Sequence, residues 1–304
     1  MLIRELITQP DGPITGTFRV TTPRQRVSRG GTPYLMLDLA DYSGVVRAHA
    51  WPERYRGLTQ PADLSVVSIT GNIRMFHDRK MVDLHRLEPA SVLSDPVMLF
   101  PQSCCLITDG IDRLINIRDG ITMKPLQNFI NTVLTNDALA LPFLRLPGSR
   151  RHHHSFTGGL LAHSLECAEI VAGLAIDLPR HTRELGMVAA LCHDIGKIVT
   201  LDSRPGAWLT GAVLDHDALT LELLATALAG LDREWAEGAL MLRYLFTWKK
   251  NGRGGRPLQV IAEAVAAADR ISSGLSAERL AFAETADWKK LEKWNGSQYL
   301  RLAN

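Results

Sequence analysis

Residues 190–197 read Ala190-Leu191-Cys192-His193-Asp194-Ile195-Gly196-Lys197, an imidazole and a carboxylate side by side in a run that is otherwise apolar or small. A buried carboxylate or imidazole costs free energy unless something pairs or ligates it. Asp194, set between Leu191 and Ile195, is therefore expected to face inward and to need a partner. Two other segments raise the same question. Upstream, the chain runs Arg151-His-His-His154-Ser-Phe-Thr-Gly-Gly-Leu-Leu-Ala-His163-Ser-Leu-Glu-Cys-Ala168. Downstream, Ala266-Ala-Ala-Asp269-Arg-Ile271 sets one acid after a run of small residues, and it too is expected to point inward. Helices crossing in a bundle can bring His163, His193, Asp194 and Asp269 to one point. Two imidazoles and two carboxylates suit a borderline or hard divalent ion, most simply Mn²⁺, with Fe²⁺, Co²⁺, Ni²⁺ or Zn²⁺ as alternatives. On one helix His193 and Asp194 differ by about 100° around the axis, so a shared ion must lie over the boundary between their faces. Taken singly, each residue has an ordinary explanation: Gly196 and Lys197, for instance, suit a helix end. The ordered set His…His-Asp…Asp does not reduce to such explanations.

Outward from this motif, apolar residues after Ile111 recur with helical period. Helices are expected at Thr122–Thr135, Gly159–Ala175, Arg180–Leu201, Asp217–Leu228, Arg233–Thr247, Leu258–Ser273 and Ala277–Leu291, with Pro257 at a helix start. Residues 109–304 thus read as an all-α bundle. Residues 91–108, punctuated by Pro96 and Pro101, read as a linker. Residues 1–90 read as strands at Gly16–Thr22, Pro33–Leu39, Val45–Trp51, Val66–Arg74 and Lys80–Leu87. Between them stand the turn signals Arg29-Gly30-Gly31, Asp41-Tyr42-Ser43-Gly44 and His77-Asp78-Arg79. Five short strands with a brief helical stretch at Glu53–Leu58 is the plan of a five-stranded OB-type Greek-key barrel.

Composition bounds the function. At 304 residues the chain exceeds the roughly 100–200 of one domain, which agrees with two. No apolar run approaches the ~20 residues of a membrane span, and Met1-Leu-Ile-Arg-Glu-Leu6 places charges inside any would-be leader, so a cytoplasmic protein without membrane association is expected. The cysteines Cys104, Cys105, Cys167 and Cys192 show no framework spacing, which suits a reducing compartment and argues against a cysteine zinc site. The net charge is only +2, so any nucleic-acid surface must be local.

The order His163…His193-Asp194…Asp269, with Gly-Gly-Leu-Leu-Ala-His-Ser before it and Ala-Asp-Arg at its end, resembles the HD superfamily of metal-dependent phosphohydrolases. The whole chain, over about residues 10–275, resembles the bacterial YhaM-type 3′–5′ exoribonucleases, which join an N-terminal OB-fold to an HD domain and share a His-rich run before the first ligand helix. A weaker resemblance is to the relaxase-associated HD proteins of mobile elements. The resemblance implies that His163, His193, Asp194 and Asp269 are the metal ligands, and it matches His216 to the family's middle histidine, an additional ligand or a phosphate contact. Many relatives carry a His-His-Gly motif between the middle helices. The matching stretch, Arg243–Gly252, has no histidine, so one ion rather than two is expected.

Around such an ion, Lys197 is expected to contact phosphate, since it returns to the helical face of the ligand pair. One of His153 and His154 is expected to contact phosphate or act as a general acid, and Arg150 and Arg151 to extend a phosphate track. On the barrel, Tyr34, Trp51 and Tyr55 are candidates for stacking on bases, although Trp51 and Phe18 would serve equally as barrel filling. Arg24, Arg26, Arg29, Arg47, Arg74, Arg79 and Lys80 are candidates to follow a backbone. The run Arg24–Gly31 reads as a flexible loop between the first two strands. The function expected is metal-dependent 3′–5′ trimming of single-stranded RNA or DNA. The alternatives are a phosphohydrolase of free or cyclic nucleotides with a regulatory barrel, and a non-catalytic single-strand-binding or conjugation-accessory protein. The barrel would serve equally for homo-oligomer assembly.

Overall fold

Every second residue of the N-terminal strands turns inward, and the computed structural model follows that alternation through a closed barrel. It describes residues 1–57, 60–90, 95–201, 207–248 and 258–302. The chain divides into two units, Met1–Cys104 and Cys105–Asn304. In the first, helix α1 (Ile3–Thr8) precedes strands β1 (Gly12–Val27), β2 (Pro33–Asp41), β3 (Gly44–Ala50), β4 (Arg56–Gly57), β5 (Val66–Phe76) and β6 (Arg79–Pro89). Five of these run in the order β3-β2-β1-β5-β6, and a parallel β3–β6 pairing closes the ring, while the short β4 pairs with β6. Phe18, Val20, Leu35, Leu37, Leu39, Val67, Ile69, Val82 and Leu84 fill the interior, joined by Ile3 and Leu6 from α1.

The structure corrects several expectations. β1 runs on past a bulge between Thr21 and Arg24, so Arg24 and Arg26 lie on a strand opposite Met36 and Tyr34, not in a loop. Only residues around Ser28–Thr32 turn. Residues 53–54 form a turn rather than helix, and Leu58 lies outside the described residues. Residues 95–104, inside the supposed linker, fold against the barrel. Val97 and Phe100 are fully buried, Tyr42 N–H donates to the Met98 carbonyl at 3.1 Å, and the Phe100 ring lies 4.4 Å from the buried Arg19 guanidinium.

The second unit comprises α2 (Gly110–Gly120), α3 (Lys124–Thr135), α4 (Asp137–Arg145), α5 (Gly159–Leu174), α6 (Arg180–Cys192), α7 (Lys197–Thr200), α8 (Ala207–Val213), α9 (His216–Leu223), α10 (Ala225–Glu234), α11 (Ala236–Phe246) and α12 (Val260–Phe282). A hairpin of β7 (Leu291–Trp294) and β8 (Ser297–Leu300) follows. Helices α5, α6 and α12 pack together at its centre. The buried Glu184 of α6 accepts hydrogen bonds from Thr122 N–H, Thr122 O–H and Met123 N–H at 2.8–3.0 Å, which ties α6 to the start of α3. Among the described residues no helix is long and apolar enough to cross a membrane.

The helix α12 passes through Ser272-Ser273-Gly274 without a break, because Ser272 is held in the core. The expected helix Ala277–Leu291 therefore ends at Phe282, and the chain turns into the hairpin. Asn295 (φ 46°) and Gly296 (φ 82°) supply the two positive φ values of a tight hairpin turn. Pro257 and Lys249–Gly252 lie outside the described residues.

Candidate metal centre and strand-binding face

The His-Asp pair does not sit inside a helix, as its sequence suggested. α6 ends at Cys192, residues 193–196 form a tight turn, and α7 begins at Lys197. Thr220 on α9 pins this turn: its hydroxyl accepts from Gly196 N–H at 2.9 Å and donates to the His193 carbonyl at 2.9 Å. A side chain at residue 196 would come 2.1 Å from the His216 carbonyl oxygen, so glycine lets the turn and α9 meet.

The structure brings the four expected side chains together. His163 Nε2 lies 3.4 Å from Asp194 Oδ2 and 3.3 Å from Asp269 Oδ1, and His193 Nε2 lies 3.5 Å from Asp194 Oδ2. Asp194 is buried, whereas Asp269, with 48% of its side chain exposed, faces a cleft rather than the core. That cleft, about 410 Å³, is lined by His153, His193, Asp194, Lys197, His216 and Asp269 on its polar side and by Leu245, Phe246 and Trp248 on its apolar side.

Hydrogen bonds fix both imidazoles. His193 Nδ1–H donates to the Ala190 carbonyl at 2.8 Å, which leaves Nε2 buried with no hydrogen bond of its own among the described residues. Ser272 gives its hydroxyl proton to Glu166 Oε2 at 2.8 Å, so its oxygen accepts from His163 Nδ1–H at 3.0 Å. The Nε2 lone pairs of both rings then face carboxylate oxygens, an acceptor-to-acceptor arrangement that needs a cation or a proton between them. A proton is disfavoured, because burial pushes the His163 imidazole below its ordinary value. Burial also opposes ionisation of Asp194 and Asp269. A positive centre among the rings outweighs it, whether carried by His193 and His163 or by an ion in place of their protons: Asp194, also beside Lys197, is held well below the carboxylate range, and Asp269 at about 2. Two carboxylates and two lone pairs suit a divalent cation.

The other expected residues divide. Lys197 Nζ lies 2.6 Å from Asp194 Oδ2 at the cleft wall. His216 opens α9 and places Nε2 3.3 Å from Asp194 Oδ1 and 3.3 Å from Asp217 Oδ1, so it joins the cluster. His153 lines the cleft; burial and the Lys197 charge push its imidazole down to about 4. His154 is corrected: it is buried in a left-handed conformation (φ 52°) and its Nε2 lies 3.2 Å from Glu166 Oε2, away from the cleft lining. Arg150 donates to the Thr200 carbonyl at 2.7 Å, and Arg151 is exposed.

Sequence reasoning passes over Glu166, Ser272, Thr220 and the exposed Arg270 at the cleft wall. It also passes over Cys167, whose Sγ is 3.7 Å from both ring nitrogens of His163 and whose thiol burial pushes up. Glu166 and Cys167 follow His163 by three and four residues, a spacing that puts them on its face. Cys192 is buried with its thiol raised to about 12, and the buried Ser164 hydroxyl has no hydrogen-bond partner among the described residues.

On the barrel, the outward faces of β1, β2 and β3 carry the expected groups. Tyr34 stacks on Trp51 at 4.4 Å and 21°, with the His49 ring edge-on to both. Trp51 is thus on the outer face, and Phe18 alone of the pair fills the barrel. Arg24 and Arg26 are exposed on the same face of β1, and no ion pair engages them or the exposed Arg29 among the described residues. Arg47 is paired with Asp38 at 2.5 Å, Arg74 with Asp83, and Lys80 with Asp11 at 2.7 Å. Tyr55 packs against the barrel core with its hydroxyl pushed up to about 12 by burial, which withdraws it from base stacking.

Residues 160–274 match the HD domain family model, and residues 103–204 match a helicase model, TraI_2. The chain is 23% identical over 234 residues to the 3′-5′ exoribonuclease YhaM of Listeria innocua, covering 75% of this chain and 73% of that protein. With the 3′-5′ exoribonuclease YhaM of Bacillus subtilis it shares 24% over 226 residues, or 72% and 70% of the two chains. Overlap with solved structures is slight: the TM-score is 0.22, with 17% identity, against a replication protein A heterotrimer bound to ssDNA, covering 27% of this chain and 59% of that one. An HD domain implies a divalent metal, and the donor set around His163 is of the kind that holds one. The helical unit of this chain therefore matches the HD domain over residues 160–274, and the chain is similar to the YhaM exoribonucleases over about three quarters of its length.

Proposed function

We propose that the chain is a metal-dependent 3′–5′ exonuclease, with His163, His193, Asp194 and Asp269 holding one divalent ion, Mn²⁺ by preference. The observation that carries this reading is the meeting of two tautomer-fixed imidazoles with two ionised carboxylates, His163 Nε2 lying 3.3–3.4 Å from both acids at a cleft open to solvent. A bound divalent ion supplies an acidified water and a polarised phosphoryl oxygen. The chain's own groups do the rest. Lys197 brings a positive charge to the phosphoryl oxygens where negative charge develops. His153, neutral near pH 7, offers a donor and an acceptor rather than a charge. His216 and Arg270 line the cleft as further phosphate ligands. The apolar wall of Phe246 and Trp248 gives a terminal base a surface to lie against.

The barrel is the strand handle in this reading. Arg24, Arg26 and Arg29 neutralise phosphates, and the Tyr34–Trp51 stack offers a platform to a base. The similarity to proteins named exoribonucleases supports strand cleavage over turnover of free nucleotides. Incubation with Mn²⁺ and 5′-labelled single-stranded RNA and DNA is expected to give a ladder shortened from the 3′ end. Turnover confined to mononucleotides or cyclic nucleotides would move the substrate class. Tight binding by fully metallated protein without cleavage would remove the enzymatic reading.

A further inference from the structure

The stretch Asp287-Trp-Lys-Lys-Leu-Glu-Lys-Trp294-Asn-Gly-Ser-Gln-Tyr299-Leu-Arg301 interleaves aromatic and basic residues: three aromatics, and four cations against two carboxylates. It belongs neither to the barrel nor to the metal centre. Trp288 is 80% exposed, Lys290 and Lys293 are exposed, and no ion pair engages either lysine among the described residues. The hairpin formed here is tied to the His-rich loop at its tip, where Asn295 Nδ2 donates to His152 Nδ1 at 3.0 Å.

Beneath the hairpin lies a second cleft of about 360 Å³. Trp294 and Tyr299 form one side, Gly274 and Ala277 of α12 the floor, and His152, His153, Ser273 and Asn295 the remainder. His153 and Ser273 also line the metal cleft, so the two clefts share a wall, and Ser273 donates to Asp269 Oδ1 at 3.4 Å. Strand alternation puts Trp294 and Tyr299 on one face, where both are half-buried. The Trp294 indole N–H is buried and makes no hydrogen bond among the described residues, leaving a donor that a base or sugar oxygen would satisfy. The floor is open: a Cβ at Gly274 would meet nothing within 4 Å.

We infer that this cleft is a nucleobase subsite, in which a base near the 3′ end of a single strand stacks against Trp294 and Tyr299 while the adjoining phosphate occupies the metal cleft. Lys290 and Lys293 then lie along the outgoing backbone. Stacking on aromatic rings is indifferent to base identity, which suits an enzyme that must accept each newly exposed end. The inference rests on the exonuclease reading for the direction of the strand, but the subsite is tested without relying on cleavage.

The experiment places 2-aminopurine singly at each of the last four positions, and at an interior position, of an oligonucleotide whose 3′ linkages are phosphorothioates. Fluorescence is followed with the metal-loaded full-length protein. Strong quenching at one position near the 3′ end is expected. Tyr299→Leu removes a ring, and Gly274→Leu fills the floor with a good helix former at an unobstructed site. Each variant, checked for wild-type circular dichroism, should abolish the position-specific quench and weaken binding by about 5- to 150-fold, the range expected for one stacked base. Quenching that is uniform along the strand, or that survives in both variants, overturns the subsite. Position-specific quenching lost in both variants, in a protein that never shortens an unmodified strand, would sustain the subsite and sink the nuclease reading instead.

Discussion

Ser272 has one proton to give, and it goes to Glu166; that choice makes its oxygen an acceptor and fixes which nitrogen of His163 faces the carboxylates. Ligand histidines held in this way lose roughly 10–100-fold in metal affinity when the supporting group is removed. Ser272→Ala should show a loss of that size by chelator competition, and Ser272→Thr, which keeps the hydroxyl, should recover most of it. An alanine variant that binds metal as tightly as wild type would separate Ser272 from the site. Glu166 also carries a stability signature. Burial opposes its charge, but hydrogen bonds from His154 and Ser272, the His154 charge and the Arg279 guanidinium bring it to about 2 from an ordinary 4.5. A carboxylate depressed on folding contributes stability that is complete above its unfolded value and lost as pH falls toward its folded one. The Tm deficit of Glu166→Gln should therefore be largest near neutrality and shrink between pH 4.5 and about 2. A calorimetric deficit that stays constant across that window would contradict the assignment.

At the scale of elements, apolar alternation locates the barrel strands, and apolar content locates the ligand helices: α12 buries one stripe, whereas α5 is buried on every side over Gly159–Leu165. It fails where tertiary packing overrides local pattern. Within residues 190–201 only Gly196 and Lys197 hint at a helix end; the break directly after Cys192 depends on Thr220 and the His216 carbonyl, some twenty residues away in sequence. His154 reads as one of three equivalent loop histidines, and only the fold distinguishes it by turning it toward Glu166. The hairpin is legible: Asn295-Gly296 between Trp294 and Ser297 is a strong turn signal, masked by the helical period on its N-terminal side. Arg24 and Arg26 gain from the correction, since a strand holds them in register opposite Met36 and Tyr34. Replacing both by Glu should weaken oligonucleotide binding and reduce the slope of log K against log salt by roughly 0.7 for each phosphate that the arginines no longer neutralise. An unchanged slope in a salt titration would place the strand on another surface.

Across the whole molecule, the proposed reading gives the barrel a share of the strand binding and keeps hydrolysis in the helical unit. Asp194→Ala should strip the metal and stop hydrolysis while leaving oligonucleotide affinity nearly unchanged, as elemental analysis, a trimming assay and a filter-binding titration would show together. Residual cleavage at wild-type metal content would remove Asp194 from the site. The packing of Phe100 over Arg19 bears on how the first unit can be handled by itself. The cation–ring interaction is worth about 0.5–2 kcal/mol, and the Tyr42–Met98 bond adds a backbone tether to the same segment. A barrel fragment expressed only as far as Ala90 would bare a guanidinium otherwise sealed by that ring, with the apolar surface around it left sticky. A fragment intended for binding studies must carry its lid, and its stop codon belongs after Cys104.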